Sequence, residues 1–260
     1  MDEVLYERRE AGGWLCLNRP DSLNALNPAM VGALGQCIER ARVDDDVRVL
    51  VITGSGRAFC AGGDLRAVRG LSEDDPAGRH RFLLDFGRVL DSLQDFPKPV
   101  IAAVNGMAMA GGLEIVLCCD LVVAVDTAAI GDAHSNYGLI PGGGASIRLP
   151  RRVGPSMAAW LMFTGRTLPA SDLVQCGLVN VVTPIDELTA TIDELVASIA
   201  AKSPLGLARI KRLMNDGLDL PLSTGIRLEL LASEAHAMSH DMAEGLAAFE
   251  EKRAPNFLGR

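Results

Sequence analysis

A surplus of positive charge is what this chain most plainly lacks: 25 lysines and arginines stand against 33 aspartates and glutamates, a formal net charge of -8. That balance argues against a general nucleic-acid or anionic-membrane surface, although a local basic patch still suits a phosphorylated small molecule. An apolar run long enough to span a bilayer is also missing. The longest candidate, residues 99–113, contains proline and several glycines, is bounded by Lys98 and Glu114, and falls short of the ~20 residues a span needs. The start, MDEVLYERRE, is acidic and polar, so it does not read as a secretory signal. The six cysteines (Cys16, Cys37, Cys60, Cys118, Cys119 and Cys176) lack metal-ligand spacing and read as reduced core residues of a cytoplasmic protein. His236 and His240 stand four apart but have no HExxH glutamate between them, so no metal site is expected.

What is present is organised around residues 105–120, NGMAMAGGLEIVLCCD. Residues 99–104 (PVIAAV) before it have the length and composition of a buried strand, and residues 114–119 read as the opening of a buried helix. Gly111 and Gly112 then sit where a turn feeds a helix. Backbone N–H groups at that point have no intrahelical partner, and the missing Cβ lets a ligand approach them, which suits an anion or an oxyanion. Glu114 lies in the same first turn. The helix dipole favours its charge while the apolar neighbours Ile115, Val116 and Leu117 oppose it. A carboxyl group so placed is either a proton-transfer group or an ordinary acid at a helix start.

Elsewhere the pattern alternates between strands and helices. Residues 14–18 read as a strand, Asn27 and Pro28 as an N-cap and first helical residue, and residues 28–42 as an amphipathic helix burying Met30, Val31, Leu34, Cys37, Ile38 and Ala41. Residues 47–53 form the next strand and end in a glycine-rich loop, GSGRAFCAGGDL. That loop lacks both the GK[ST] ending of a P-loop and the GxGxxG spacing of a dinucleotide fold. A helix over 82–94 follows, after a polar stretch around His80 that is expected to be a surface loop. The order indicates an α/β class with parallel pairing. Beyond Asp120 come a short strand, 121–125, and an irregular segment holding Asp132 and His134. In extended backbone, residues two apart point the same way, which makes Asp132 a candidate orienter of His134. Residues 142–144 form a sharp turn, and Arg148, Arg151 and Arg152 supply local positive charge. From residue 169 the pattern is mostly helical, with a stripe of Leu188, Ile192, Leu195, Val196 and Ile199 and helices over 204–216, 223–238 and 240–252. Apolar stripes beyond a finished core pack either on another subunit, which would make an oligomer, or back on their own.

Three segments in this order and spacing, AFCAGGDL (58–65), PVIAAVNGMAMAGGLEIVLCCDLVVA (99–124) and YGLIPGGGASIRLPRRVG (137–154), resemble the crotonase superfamily, the enoyl-CoA hydratase/isomerase family. The resemblance extends to LNRPDSLNALN, to TGRTLPASDLVQCGLVNVV and to AEGLAAFEEKRAPNF, and so covers nearly the whole chain. It implies a spiral of strand-strand-helix repeats over residues 1–195 carrying an acyl-CoA site, and a C-terminal helical region, 196–260, that trimerises and lids the pocket. Trimers of the family often pair into hexamers. It also implies an acyl-CoA thioester substrate, with no nucleic-acid or membrane partner and no cofactor beyond the coenzyme A that the substrate carries. The family stabilises a thioester enolate with two backbone N–H groups, which by motif belong to Gly63 and Gly111. The loop containing Ala58, Ala61, Asp64 and Leu65 would cradle the adenine end of coenzyme A, with Arg57 and Arg66 near its phosphates. Phe249 and Lys252 match C-terminal positions that contribute to the pocket, in some relatives from a neighbouring subunit.

Hydratases of the family hold one water between two glutamates. The first matches Glu114, whereas the second falls where this chain has His134, in AHSNYG rather than P-E-x-x-x-G. Three chemistries follow from that departure. Glu114 and His134 share the water and hydrate a 2-enoyl-CoA, with a pH limb near the ~6.5 of histidine; the imidazole serves thioester hydrolysis, carbon–carbon cleavage or double-bond migration on the same enolate; or the site binds acyl-CoA with little catalysis.

Overall fold

The chain opens on a hairpin, β1 (Val4–Arg9) and β2 (Gly12–Leu17), followed by helix α1 (Pro28–Val43). It then repeats one unit of strand, corner, short strand and helix. In the computed structural model, which describes residues 2–75 and 77–260, these units are β3 (Val49–Gly54) and β4 (Ala58–Cys60) with α2 (Leu65–Asp74) and α3 (Gly78–Gln94), then β5 (Val100–Val104) and β6 (Met107–Met109) with α4 (Gly111–Leu117). The third is β7 (Leu121–Val125) and β8 (Ala129–Gly131) with α5 (Ala145–Val153) and α6 (Pro155–Thr164). Two short strands, β9 (Thr167–Pro169) and β10 (Val181–Thr183), close the sheets before α7 (Leu188–Ala200), α8 (Pro204–Gly217), α9 (Leu222–Ala237) and α10 (His240–Glu251).

Each unit gives its first strand to a six-stranded sheet, β1-β2-β3-β5-β7-β10, and its second to a four-stranded sheet, β4-β6-β8-β9. Pairing is parallel from β2 to β10 and from β4 to β8. This is the α/β spiral of strand-strand-helix units that the sequence implied. Strand β5 is buried along its whole length, as a parallel strand covered on both faces should be. Helix α1 starts where the sequence placed it: the Asn27 side chain accepts from Met30 N at 2.7 Å, and Met30, Val31, Leu34, Ile38 and Ala41 face the core.

Two carboxamides fix the corner between β3 and β4. Asn105 Oδ1 accepts from Gly54 N (3.0 Å) and its Nδ2 donates to Gly56 O (3.0 Å). Asn24, fully buried, donates from Nδ2 to Ser55 O (2.9 Å) and Ala58 O (2.8 Å). Satisfied amides of this kind, that of Asn24 buried and that of Asn105 partly so, hold a corner in one geometry, and this corner sets where the loop after β4 meets α4.

Several elements differ from the sequence reading. The segment read only as an acidic start forms β1, paired with β2. The glycine-rich loop contains β4, and helix α2 begins directly after it, capped by Asp64, which accepts from Ala67 N at 3.2 Å. His80 is on helix α3, which starts at Gly78, and not in a surface loop. The buried helix at Glu114 ends at Leu117, because Asp120 turns back to donate its N–H to Val100 O (2.9 Å) and the chain re-enters the sheet as β7. The mostly helical stretch after residue 169 contains β10, too short and too exposed to show a period.

The boundary expected after residue 195 falls inside α7, whose Leu188, Ile192 and Val196 are buried against the core. Beyond it the helices attach lightly. Helix α8 buries only Lys211, whose Nζ reaches Asp120 Oδ2 at 2.7 Å and Lys98 O at 3.3 Å, and helix α9 buries no residue. Ile210, Met214, Leu218, Leu222, Ile226, Leu230 and Leu231 are exposed on these two helices and the connection between them. Among the described residues no helix is long and apolar enough to cross a membrane, and no group of three or more His, Cys, Asp or Glu side chains is placed to hold a metal ion. His236 instead pairs with Arg209, Nδ1 to NH1 at 2.9 Å.

Candidate active site

The loop after β4 and the start of α4 pack directly together. Gly62 has φ +96°, and a Cβ placed on it would stand 2.7 Å from Ala110 Cβ and 3.2 Å from Gly111 N, so only glycine lets the two segments approach. Leu26 pairs with this loop as an isolated parallel bridge, taking Gly62 O and Asp64 N. Gly63 N–H is left over by that pairing. Gly111 is the first residue of α4, where an N–H has no intrahelical acceptor, and Ala110 before it holds a strained positive φ of 50°. Among the described residues neither the Gly63 nor the Gly111 N–H has a hydrogen-bond partner, and both residues line one cavity of about 340 Å³. Two free donors facing a common space are what an oxyanion requires.

Glu114 enters the same cavity from the first turn of α4 while remaining only 2% exposed. Its Oε1 accepts from Gly143 N at 2.7 Å and from Ala145 N at 3.1 Å. The 142–144 turn expected from the sequence is therefore the clamp on this carboxylate. Desolvation by burial dominates and raises the Glu114 pKa above the usual carboxylate range, against the opposing pull of the Ala145 N–H, the charge of His134 and the Gly143 N–H. A carboxyl group in that condition exchanges protons more readily near neutrality than an exposed glutamate.

His134 lines the cavity and is bound by Asp132: Nδ1 lies 2.9 Å from Asp132 Oδ1, and the His134 backbone N–H reaches Oδ2 at 3.3 Å. The pairing expected from the sequence is present, but its geometry is not that of extended backbone. Ala133 is left-handed (φ 59°) and His134 opens a short 3-10 turn, so a tight local loop brings the two side chains together. Burial works against the imidazolium, yet the hydrogen bond and charge of Asp132, followed by the charge of Glu114, outweigh it and raise the His134 pKa. With Nδ1 engaged by Asp132, Nε2 is the nitrogen left for chemistry.

Of the residues expected near coenzyme A, Ala61 and Leu65 line the cavity. Arg57 and Arg66 are exposed outside it, and Ala58 is buried with its carbonyl bound by Asn24. Asp64 caps α2 and pairs with Arg19 at 3.0 Å. Phe249, 84% exposed on α10, and Lys252, the left-handed residue ending that helix, also lie outside the cavity lining. The cavity has an apolar wall, drawn in part from the helix over about 80–95 where the family resemblance places the selection of chain length. It consists of Phe82, Leu83 and Phe86 on α3, with Leu26, Met107, Met109 and Ile140 opposite. The helical spacing of Phe82 and Phe86 was visible, but nothing in one sequence says which side of a helix faces a ligand.

A model of the enoyl-CoA hydratase/isomerase family matches residues 10–260. The chain is 37% identical over 260 residues to the putative enoyl-CoA hydratase/isomerase YngF of Bacillus subtilis, covering 99% of each protein. It is 38% identical to the 2,3-dehydroadipyl-CoA hydratase of Escherichia coli, covering 100% of each. Among solved structures, an enoyl-CoA hydratase from Polaromonas sp. JS666 superposes with a TM-score of 0.95 at 31% identity, over 98% of this chain and 99% of that one.

Proposed function

The chain belongs to the enoyl-CoA hydratase/isomerase family, and on that premise we propose that it is an acyl-CoA-processing enzyme that adds water across the double bond of a 2-enoyl-CoA thioester. The observation that carries the reading is the convergence on one cavity of two unpaired N–H groups, a buried carboxylate and an imidazole held by a second carboxylate. The thioester carbonyl accepts from Gly63 and Gly111, which polarises the conjugated system toward an enolate. Glu114 as carboxylate takes a proton from water while the water oxygen bonds to Cβ. The imidazolium of His134 delivers its proton to Cα. The pair carries one proton before and after the reaction, so its total charge does not change over a turnover. Coenzyme A enters as part of the substrate, and no other cofactor is assigned.

The exposed apolar faces of α8 and α9 support a homotrimer, or a hexamer formed from two trimers, in which residues 196–260 make the contact. A cytoplasmic location is assigned on the same reading. The Asp132–His134 pair also favours one second reaction, thioester hydrolysis, because an imidazole oriented by a carboxylate can act as the general base toward an attacking water.

The test follows loss of the conjugated thioester absorbance with crotonyl-CoA and a longer enoyl-CoA from about pH 5 to pH 9, with free thiol measured in parallel. Hydration by the wild type, lost in both Glu114→Gln and His134→Ala, is the expected result. Release of thiol without hydration establishes the hydrolase instead.

A further inference from the structure

One cation stands on the otherwise apolar wall of the cavity. Arg79, in the first turn of α3, lines the same space as Phe82, Leu83 and Phe86. The positions 79, 82, 83 and 86 are spaced by three and four residues, so they form one face of the helix. Among the described residues Arg79 has no hydrogen-bond or ion-pair partner, in contrast to Arg81, paired with Asp75, and Arg88, paired with Asp85.

The helix runs past the reacting centre in a known order. Leu90 borders the turn that clamps Glu114: a Cβ on Gly143 would meet Leu90 Cδ1 at 2.6 Å. Phe86 borders the start of α4, 3.6 Å from a Cβ on Gly111, and Leu83 borders Gly142 at 2.6 Å. Arg79 follows in the same direction, two turns before Phe86, which at 1.5 Å per residue is about 10 Å along the axis. A guanidinium on a flexible stem reaches back over much of that distance. An acyl chain whose carbonyl sits between Gly63 and Gly111 therefore passes the two phenylalanines and meets Arg79 with its far end.

Resting on the hydratase reading above, we propose that the substrate is an enoyl-CoA of short to medium length whose distal end carries a carboxylate, and that Arg79 is the specificity residue that binds it. The planar guanidinium matches a carboxylate with two parallel hydrogen bonds, and the apolar wall between accepts the methylenes. A hydrocarbon tail ending at the same place would gain no hydrogen bond from the cation.

The experiment compares kcat/KM for six-carbon 2-enoyl-CoAs that end in a methyl group or in a carboxylate, with wild type, Arg79→Met and Arg79→Lys. The wild type is expected to prefer the carboxylate. Arg79→Met should lose about tenfold on that substrate alone, the lower part of the range for a charged hydrogen bond because Arg79 is exposed to water, and Arg79→Lys should recover part of the loss. Equal loss on both substrates overturns the proposal, since it assigns Arg79 to the coenzyme A phosphates or to folding. No loss on the carboxylated substrate overturns it as well. A wild type that hydrates neither substrate refutes the hydratase reading itself, and this inference with it, whereas brisk hydration of the methyl-ended substrate alone refutes only the latter.

Discussion

Replacing Gly143 by alanine tests whether the clamp on Glu114 matters to turnover. The new Cβ would lie 2.7 Å from Glu114 Oε2, 2.8 Å from its Cδ and 2.6 Å from Leu90 Cδ1. Carbon atoms in contact settle at about 3.5–4.0 Å, so the carboxylate, the turn or Leu90 has to yield by close to 1 Å. The carboxylate cannot move alone, because Gly143 N holds its Oε1 at 2.7 Å. Displacing a catalytic group by that amount costs on the order of 10²-fold in rate, and overpacking costs roughly 1–3 kcal/mol of stability. Steady-state hydration kinetics and a thermal melt read the two effects, with the midpoint falling by roughly 2–4 °C per kcal/mol. Gly87→Ala is the control. It lies within α3 with no atom within 4 Å of its ideal Cβ, and it should leave activity unchanged while gaining about 0.5–1 kcal/mol from helix propensity. Turnover by Gly143→Ala within about twofold of wild type would show that the position of Glu114 does not limit catalysis.

Glu114→Gln should fold normally, since an amide oxygen still accepts from Gly143 and Ala145, and should lose ~10²–10⁴-fold in kcat; wild-type turnover would remove Glu114 from the mechanism. The rate should be bell-shaped in pH, falling at the acid side as the Glu114 carboxylate is protonated, which puts a second proton on the pair, and at the basic side as His134 loses its own. Because Asp132 holds the His134 pKa above the ordinary imidazole value, the basic limb should lie above the ~6.5 that histidine alone gives. In Asp132→Asn the imidazolium loses its anionic partner, and the basic limb of kcat/KM should move to lower pH; a limb that stays in place would mean that another group sets it. Lys211→Met removes the buried tie between α8 and Asp120 and should cost about 2 kcal/mol, less than the usual toll for a broken buried pair because Asp120 is partly exposed. Denaturant midpoints measure it, and an unchanged midpoint would show that α8 is held by other contacts.

How much of this was legible in the sequence follows from how local each signal is. The 28–42 helix was readable because its cap, its proline and its apolar stripe all lie within one element. Glu114 was readable as a candidate because a carboxylate stands just past a glycine pair at the head of an apolar run, and the ordered motifs separated it from an ordinary acid at a helix start. The ordered motifs then implied the spiral and both oxyanion donors. Strand β10, by contrast, owes its structure to pairing with β7 in the sheet, Val182 against Ala124, and residues 181–183 contain no internal period that says so. The Asp132–His134 contact was inferred from the wrong geometry, since the left-handed turn at Ala133 depends on tertiary surroundings. Arg79 was passed over for a related reason. Its charge is ordinary on a helix, and only the folded cavity makes it unusual.

The exchange of a second glutamate for His134 looks at first like a change in the charge of the site. Two glutamates sharing a water, as the family resemblance implies, hold one proton between them because like charges at that range oppose double ionisation. Their sum is one negative charge. Here Glu114 faces a unit of two residues, His134 and the buried Asp132. When the imidazole is protonated that unit is neutral, as a carboxylic acid is. When it is not, the unit bears one negative charge, as a carboxylate does. The Asp132–His134 pair thus titrates as one acid of the same charge type as the residue it stands in for, with a pKa set by an imidazole instead of a carboxyl. With Glu114 ionised and His134 protonated, the site again sums to one negative charge. The substitution therefore preserves the proton count that hydration needs, and the property it alters is the pH at which the acid-donating half of the pair is lost.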